Sequence, residues 1–172
     1  MKIFLIGFMG SGKSTVAGHL SKEINLPYIE MDQQIEEREG MKISAMFEQF
    51  GEKYFREMET KFLETLKEDA IISTGGGVVV KTENISHLKK GFVVFLDVSW
   101  EEICSRLEND TDRPLWRGED SEKKKRYEIR LPLYKSAADT IIHADTKTPQ
   151  QIAREIAGRL KQEHRGHTNH KE

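Results

Sequence analysis

The feature that most constrains the fold is the segment GFMGSGKST at residues 7–15, which directly follows the apolar run IFLI at residues 3–6. Its spacing, Gly-x4-Gly-Lys-Ser, is typical of a phosphate-binding loop between a strand and a helix. Glycines let successive backbone N–H groups converge on a phosphate, and a helix that begins near Lys13 adds the positive end of its dipole. The segment therefore predicts a nucleoside-triphosphate site. The alternative is a glycine turn that happens to precede a helix.

The polar residues of this loop have predicted tasks. Lys13 would bring positive charge to the β- and γ-phosphate oxygens, and the hydroxyl of Ser14 would bind Mg²⁺. A GTPase would also need an Asn-Lys-x-Asp motif that reads guanine, which this chain lacks, so ATP and Mg²⁺ are the predicted cofactors. The predicted nucleotide contacts in the loop are Gly10, Ser11, Gly12, Lys13, Ser14 and Thr15.

Short apolar runs alternate with helical patterns along the whole chain. The runs predict strands at residues 3–6, 28–31, 70–73, 92–96 and 140–143. Most of them are continuously apolar, which favours strands covered on both faces. The sequence thus predicts an α/β fold: a three-layer sandwich with a five-stranded parallel sheet, whose ligands bind at the carboxyl ends of the strands. Thr148, Pro149 and Gln151 predict the start of the last helix as a capping box.

Composition excludes several classes of function. A chain of 172 residues suits one domain, and a formal net charge of −2 gives no sign of a nucleic-acid partner or an anionic membrane. No apolar stretch approaches the roughly 20 residues of a membrane span. The single cysteine, Cys104, permits no internal disulfide. These features predict a soluble, cytoplasmic protein without nucleic-acid or membrane partners.

Two connections between strands are much longer than a parallel crossover requires. We expect residues 33–69 to form an insertion that binds the phosphate acceptor, and the polar residues at about 109–120 to form a lid over ATP. Such a plan is typical of a small-metabolite kinase. The expected domain covers residues 1–163, followed by a disordered polar tail at residues 164–172. The histidines of that tail leave metal binding as a weaker alternative.

An ordered set of motifs resembles the shikimate kinase family. The motifs are GFMGSGKST, EMD at residues 30–32, GEKYFRE, TGGG, DRPLW and RLPLY, and the resemblance runs from about residue 2 to about residue 160. It implies a P-loop kinase of the nucleoside-monophosphate-kinase-like type, usually a monomer. The implied reaction transfers the γ-phosphate of ATP to the 3-hydroxyl of shikimate, giving shikimate 3-phosphate and ADP in aromatic amino-acid biosynthesis.

The acidic motif departs from the family pattern, which is Asp-x-Asp. By the resemblance, Asp32 contacts the acceptor hydroxyl and serves as the proposed base. Glu30 replaces the first aspartate and would act on Mg²⁺ through water. The alternative for Asp32 is a helix N-cap, because a helical stretch is expected to begin at Gln33.

The resemblance also assigns the residues that hold the two substrates. Arg56 and Arg130 would pair with the carboxylate of shikimate, for which a planar guanidinium is suited. The three glycines of the TGGG motif would contact shikimate unless they form a plain turn. Arg113 of the lid would reach the transferring phosphate, whereas Arg106 and Pro149 would flank the adenine. Phe47 and Phe55 match positions near the acceptor ring, although aromatics at this spacing are often core. The glycines are Gly75, Gly76 and Gly77.

Three alternatives stay open at this point. The segment FVVFLD at residues 92–97 is a better Walker B pattern than the third strand, but Asp97 is expected to precede a helix start at Ser99 and is not predicted as a ligand. The rival enzyme is another small-metabolite kinase that acts on gluconate or a nucleoside monophosphate. A rival from another class, a nucleotide-binding regulatory module without activity, is kept open by Glu30.

Overall fold

The computed structural model describes residues 1–108 and 120–168, with side chains described as far as residue 166. Its sheet has five strands in the order β2-β3-β1-β4-β5, and every pairing is parallel. The predicted α/β class and five-stranded parallel sheet are therefore confirmed. The strands are β1 Lys2–Ile6, β2 Tyr28–Glu30, β3 Ala70–Ser73, β4 Phe92–Asp97 and β5 Thr140–His143.

Helices connect these strands in the predicted alternation. In the described residues they are α1 Lys13–Ile24, α2 Met31–Glu39, α3 Ile43–Phe50, α4 Glu52–Thr65, α5 Thr82–Leu88, α6 Trp100–Leu107, α7 Asp120–Ala137 and α8 Pro149–Thr168, with a 3₁₀ turn at Val78–Val80. The insertion predicted at residues 33–69 thus consists of α2, α3 and α4. The predicted lid falls almost entirely outside the described residues.

The central strand β1 shows why the sheet is covered on both faces. Its residues Ile3, Phe4, Leu5 and Ile6 point alternately to opposite faces, yet all are at most 2% exposed. Helix α1 packs against α8, and the apolar residues of these helices that are buried in the core include Val16, Leu20, Ile152, Ile156 and Leu160. The continuous apolar runs therefore correspond to strands between two layers of helices.

Two predicted boundaries need correction. Helix α2 begins at Met31 with Glu30 as its N-cap, so the interpretation of Asp32 as an N-cap is wrong. The cause is the short strand β2, which ends where Glu30 pairs with Ser73. At the other end, α8 continues to Thr168, past the predicted domain boundary at residue 163. A helix that is already docked adds further residues at little cost in free energy.

Two predicted helix starts are confirmed by their hydrogen bonds. At α8, Thr148 Oγ1 accepts from the Gln151 amide at 3.2 Å, and Gln151 Oε1 accepts from the Thr148 amide at 2.9 Å. At α6, Ser99 Oγ accepts from the Glu102 amide at 3.3 Å. No helix within residues 1–108 and 120–168 combines the length and apolar composition needed to cross a bilayer.

Candidate active site

The carboxyl ends of β1, β2 and β3 open into a cleft of about 390 Å³. It is placed where ligands bind on parallel sheets. Most of the predicted site residues line it. These are Gly10, Ser11, Gly12, Lys13, Ser14, Thr15, Glu30, Asp32, Gly75, Gly76, Arg106 and Pro149.

Four predicted residues are not part of this lining. Arg56, Gly77 and Arg130 do not line the cleft as the described residues define it. A Cβ atom at Gly77 would overlap the guanidinium of Arg56, so Arg56 lies directly against the end of the glycine run. Arg113 lies outside the described residues. The cleft therefore brings the phosphate-loop residues together with Asp32, Gly75 and Gly76, and Arg56 lies next to it.

Two glycines of the phosphate loop adopt conformations that other residues rarely do. Gly10 has a φ of 80° and Gly12 a φ of 89°, both in the left-handed region. A Cβ on Gly10 would also lie 2.8 Å from Cγ of Leu107. Gly12 ends the turn as the N-cap of α1. The loop therefore presents the first N–H groups of α1 to the cleft, which is the arrangement that binds phosphates.

The ammonium group of Lys13 is held across this loop. Its Nζ donates to the backbone oxygens of Gly7 at 2.7 Å and Phe8 at 3.1 Å, and the residue is only 8% exposed. Nearby, the buried hydroxyl of Ser11 has no hydrogen-bond partner among the described residues. A positive charge and an unpaired donor side by side suit an anionic ligand.

Oxygen atoms from three elements meet beside the loop. The hydroxyl of Ser14, on α1, donates to Glu30 Oε2 at 2.7 Å and lies 3.3 Å from the hydroxyl of Ser73, at the end of β3. Hydroxyl and carboxylate oxygens are the ligands that Mg²⁺ prefers, and Mg²⁺ usually takes few protein ligands beside phosphate. These residues therefore fit a magnesium site, and the glutamate in place of the family's aspartate reaches Ser14 directly.

Two carboxylates approach the first glycine of the run that follows β3. A Cβ on Gly75 would lie 2.9 Å from Asp32 Oδ1 and 2.7 Å from Glu59 Oε2. Asp32 is exposed to solvent, whereas Glu59 is completely buried. Only glycine leaves room here for both acids, and the exposed one, Asp32, is the one that a ligand in the cleft can reach.

Arg56 is clamped by acidic residues of its own helix. Its Nη1 donates to Glu59 Oε1 at 2.6 Å, and its Nη2 donates to Glu52 Oε1 at 3.0 Å. Its Cζ also lies 5.3 Å from the ring centre of Phe55, which in turn packs on Phe47. Neither ring lines the cleft. The guanidinium is thus fixed in a defined orientation although it is 7% exposed.

Burial shifts the protonation of this cluster. It raises the pKa of Glu59 to about 7, against the opposing effect of Arg56 and with a smaller contribution from Asp32. Burial lowers the pKa of Arg56, but its ion pairs outweigh this and leave the pKa raised. The pKa of Arg130 is lowered, mainly by burial. Groups with such shifts are concentrated at functional sites.

Arg130 lies on α7, facing the same region. It is 5% exposed, its Nη1 has no hydrogen-bond partner among the described residues, and its Cζ lies 5.8 Å from the ring centre of Phe8. Tyr134 interacts with this guanidinium and donates its hydroxyl to the carbonyl oxygen of Gly76. Arg130 therefore carries an unpaired N–H donor in the protein interior, and such a donor needs an acceptor.

At the predicted adenine side, the phosphate loop is held by α6. Arg106 donates to the carbonyl of Gly10 at 3.2 Å and to Glu102 Oε1 at 2.9 Å. Pro149 and Lys147 also line the cleft, and Lys147 donates to Glu155 Oε2 at 2.6 Å. Arg106 and Pro149 are thus brought into one cleft, and their contact with adenine stays a prediction.

Sequence reasoning missed three residues of this region. Glu59 follows Arg56 by one helical turn on the buried face of α4. An acid one turn from an arginine on the same helix is the sequence pattern that could have indicated it. Ser73 and Lys147 line the cleft without belonging to a motif that would have indicated them. Asp97, in contrast, does not line it; its Oδ2 lies 3.0 Å from His143 Nδ1 on the neighbouring strand.

Comparison with known proteins decides the family. The sequence profile described as shikimate kinase matches residues 9–161. A shikimate kinase of Sulfurihydrogenibium sp. (strain YO3AOP1) is 46% identical over 162 residues, which cover 92% of this chain and 97% of that protein. The chain belongs to the shikimate kinase family.

Solved structures of the shikimate kinase family have the same fold. Shikimate kinase from Acinetobacter baumannii, in complex with shikimate, superposes with a TM-score of 0.89 at 34% identity, covering 94% of this chain and 93% of that one. The enzyme from Aquifex aeolicus VF5 superposes with a TM-score of 0.83 at 38% identity, covering 94% and 96%. The prediction of a shikimate kinase from ordered motifs is confirmed.

Proposed function

We propose that this member of the shikimate kinase family transfers the γ-phosphate of ATP to the 3-hydroxyl of shikimate, giving shikimate 3-phosphate and ADP. The observation that carries the proposal is the shared wall between the two sides of the site. A Cβ on Gly76 would lie 3.2 Å from the amide nitrogen of Met9 in the phosphate loop, while Gly75 is flanked by Asp32 and Glu59. An acceptor held against the glycine run is therefore beside the phosphates.

Asp32 is the residue proposed to act on the acceptor. The 3-hydroxyl oxygen attacks the γ-phosphorus, the bond from that phosphorus to the β–γ bridging oxygen breaks, and the hydroxyl proton passes to the Asp32 carboxylate. Because the transition state is loose, orientation of the hydroxyl contributes more than the strength of the base. The position of Asp32 in the first turn of α2, facing the cleft, supports this role.

The phosphate loop and Glu30 are proposed to stabilise the negative charge of the ATP phosphates. Lys13 would neutralise charge on the β- and γ-phosphate oxygens, and Arg113, which lies outside the described residues, would reach the transferring phosphate. Ser14 would hold Mg²⁺ through its hydroxyl, and Glu30 would act on the ion through water. When bound, the ion offsets the charge that develops between the β- and γ-phosphates.

The acceptor is proposed to be held by its carboxylate. The guanidinium of Arg56 is pre-oriented by Glu52 and Glu59, and Arg130 keeps an N–H group without a partner among the described residues. A carboxylate that satisfies this donor gains a charge-assisted hydrogen bond. Gly77, against Arg56, and Gly75 and Gly76 complete the acceptor side. We further propose that the enzyme acts as a cytoplasmic monomer.

The deciding experiment measures ADP release from Mg-ATP with shikimate, gluconate, each nucleoside monophosphate or no acceptor. Release with shikimate alone is expected. Release with a nucleoside monophosphate would leave the role of the phosphate loop intact but contradict carboxylate binding by Arg56 and Arg130. Release with gluconate, which is itself a carboxylate, would change only the identity of the acceptor. ATP binding without release for any acceptor would reject the kinase reaction and favour a regulatory module.

A further inference from the structure

Tyr134 is buried next to the proposed acceptor site, one helical turn after Arg130 on α7. It is 1% exposed, and its ring stacks on Phe95 of β4 with centroids 5.2 Å apart. Burial strongly raises the pKa of its hydroxyl, so the group stays protonated and can donate. A phenylalanine would fill the same space, so packing alone does not account for the hydroxyl.

The hydroxyl of Tyr134 joins two parts of the site that are distant in sequence. It donates to the carbonyl oxygen of Gly76, the middle residue of the glycine run that lies against Met9 of the phosphate loop. It also interacts with the guanidinium of Arg130. One buried group therefore connects the glycine run, the phosphate loop behind it and the arginine proposed to bind the acceptor.

The helix alone does not fix the orientation of Arg130. Pro132 lies inside α7, between Arg130 and Tyr134. A proline removes one backbone hydrogen bond and locally weakens or bends a helix. Side-chain contacts therefore contribute to the placement of the turn that carries Arg130, and those of the guanidinium with the Phe8 ring and the Tyr134 hydroxyl are among them.

We propose that Tyr134 is a positioning residue for the acceptor carboxylate: its hydroxyl holds the Gly76 carbonyl and the Arg130 guanidinium in the relative arrangement that binds the acid. The inference rests on the proposed function, since it takes the acceptor to be a carboxylic acid. Tyr134 does not touch the reacting atoms in this scheme. It acts through Arg130 and Gly76.

The first test compares Tyr134→Phe with Tyr127→Phe. Tyr127 is on the same helix and also donates its hydroxyl to a backbone carbonyl, that of Val98 at 2.9 Å, which makes it a matched control. Tyr134→Phe should raise the KM for shikimate about tenfold while the KM for ATP changes less than about twofold. Tyr127→Phe should leave both constants within about twofold.

Two further measurements separate positioning from stability. With 4-aminophenylalanine at position 134 the para donor is restored, and the KM for shikimate should return towards that of the wild type; 4-methylphenylalanine should not restore it. With the carboxamide of shikimate as acceptor, the difference between wild type and Tyr134→Phe should shrink, because Arg130 then has no carboxylate to bind.

The outcomes separate this inference from the proposed function. If the wild type does not phosphorylate shikimate, both fail together. If the wild type is active but Tyr134→Phe lowers only the melting temperature, or raises both KM values equally, the positioning role is wrong. If Tyr134→Phe does not fold, the comparison of the 4-amino and 4-methyl variants decides, since both retain a para substituent.

Discussion

Glu59 and Arg56 form a buried ion pair one turn apart on α4. Glu59 Oε1 accepts from Arg56 Nη1 at 2.6 Å, and the two residues are 0% and 7% exposed. Glu59 Oε2 has no hydrogen-bond partner among the described residues. Charges this deeply buried are tolerated only when paired, so each side chain controls the orientation and protonation of the other.

The first prediction concerns the pH dependence of stability. The pKa of Glu59 is raised from 4.5 to about 7, so the folded protein binds a proton that the unfolded chain releases. The stabilisation from this bound proton is fully present below the pKa of Glu59 in the unfolded chain. It is lost as the pH rises through the pKa of Glu59 in the folded protein. Arg56, Asp32 and Arg130 are the charged groups that act on it.

In Glu59→Gln, the free energy of unfolding should therefore fall less steeply between about pH 4.5 and about pH 7 than in the wild type. Urea unfolding at both ends of this range measures it. Glu57→Gln, at an exposed position of the same helix, should keep the wild-type slope. An unchanged slope in Glu59→Gln would show that another group is responsible.

The second prediction tests the pair from its other side. Above about pH 7, where Glu59 is ionised beside Arg56, Arg56→Met removes the partner of the buried carboxylate and should destabilise the fold by about 3–5 kcal/mol. The double variant Arg56→Met/Glu59→Leu removes both charges and should recover part of this loss. Denaturant unfolding of Arg56→Met, Glu59→Leu and the double variant gives the coupling free energy between the two side chains. Additive losses would mean that the pair is not coupled in the fold.

The third prediction uses the close approach at Gly77. A Cβ there would overlap the Arg56 guanidinium, so Gly77→Ala must displace the arginine. The KM for shikimate should rise by at least about tenfold, with the KM for ATP nearly unchanged. Gly158→Ala is the control, because no atom lies within 4 Å of a Cβ at that position and alanine favours the helix. An unchanged KM for shikimate in Gly77→Ala would show that Arg56 does not bind the acceptor.

What could be predicted from the sequence was set by local chemistry. The phosphate loop is one short segment whose spacing is sufficient to identify it, and the strands are apolar because the sheet is covered on both faces. The capping box at Thr148 needs only residues of the same turn. These features were therefore predicted with nearly their observed boundaries.

The missed features depend on contacts between distant segments. Strand β2 ends at Glu30 because of its pairing with Ser73, and that pairing places Asp32 inside α2. Glu59 matters because α4 packs so that its carboxylate reaches Gly75. Tyr134 belonged to a motif, but its task depends on the Gly76 carbonyl. Local sequence patterns carry no information about such contacts. The sequence could therefore indicate the site residues, but not the buried residues Glu59 and Tyr134 that contact them.

The fourth prediction tests the proposed base. Asp32→Asn keeps the shape of the side chain but cannot accept the proton, so kcat should fall by about 10²–10⁴. ATP binding should stay near that of the wild type, because the phosphate loop is unchanged. Steady-state turnover with a separate nucleotide-binding titration measures the two effects. Near-normal turnover would remove Asp32 from the chemistry.

The last prediction concerns the glutamate that departs from the family pattern. Glu30 Oε2 accepts from the Ser14 hydroxyl at 2.7 Å, so it orients the residue proposed to bind Mg²⁺. Outer partners of a metal ligand typically change affinity by about 10–100-fold when they are removed. Glu30→Ala should therefore raise the Mg²⁺ concentration for half-maximal activity by at least about tenfold, while Glu30→Asp should stay closer to the wild type. Glu37→Gln, on the exposed face of α2, is the control. The KM for shikimate should be the same in all of these variants, because Glu30 faces the phosphate side of the cleft. A Mg²⁺ requirement that does not change in Glu30→Ala would mean that Ser14 binds the ion without help from this carboxylate.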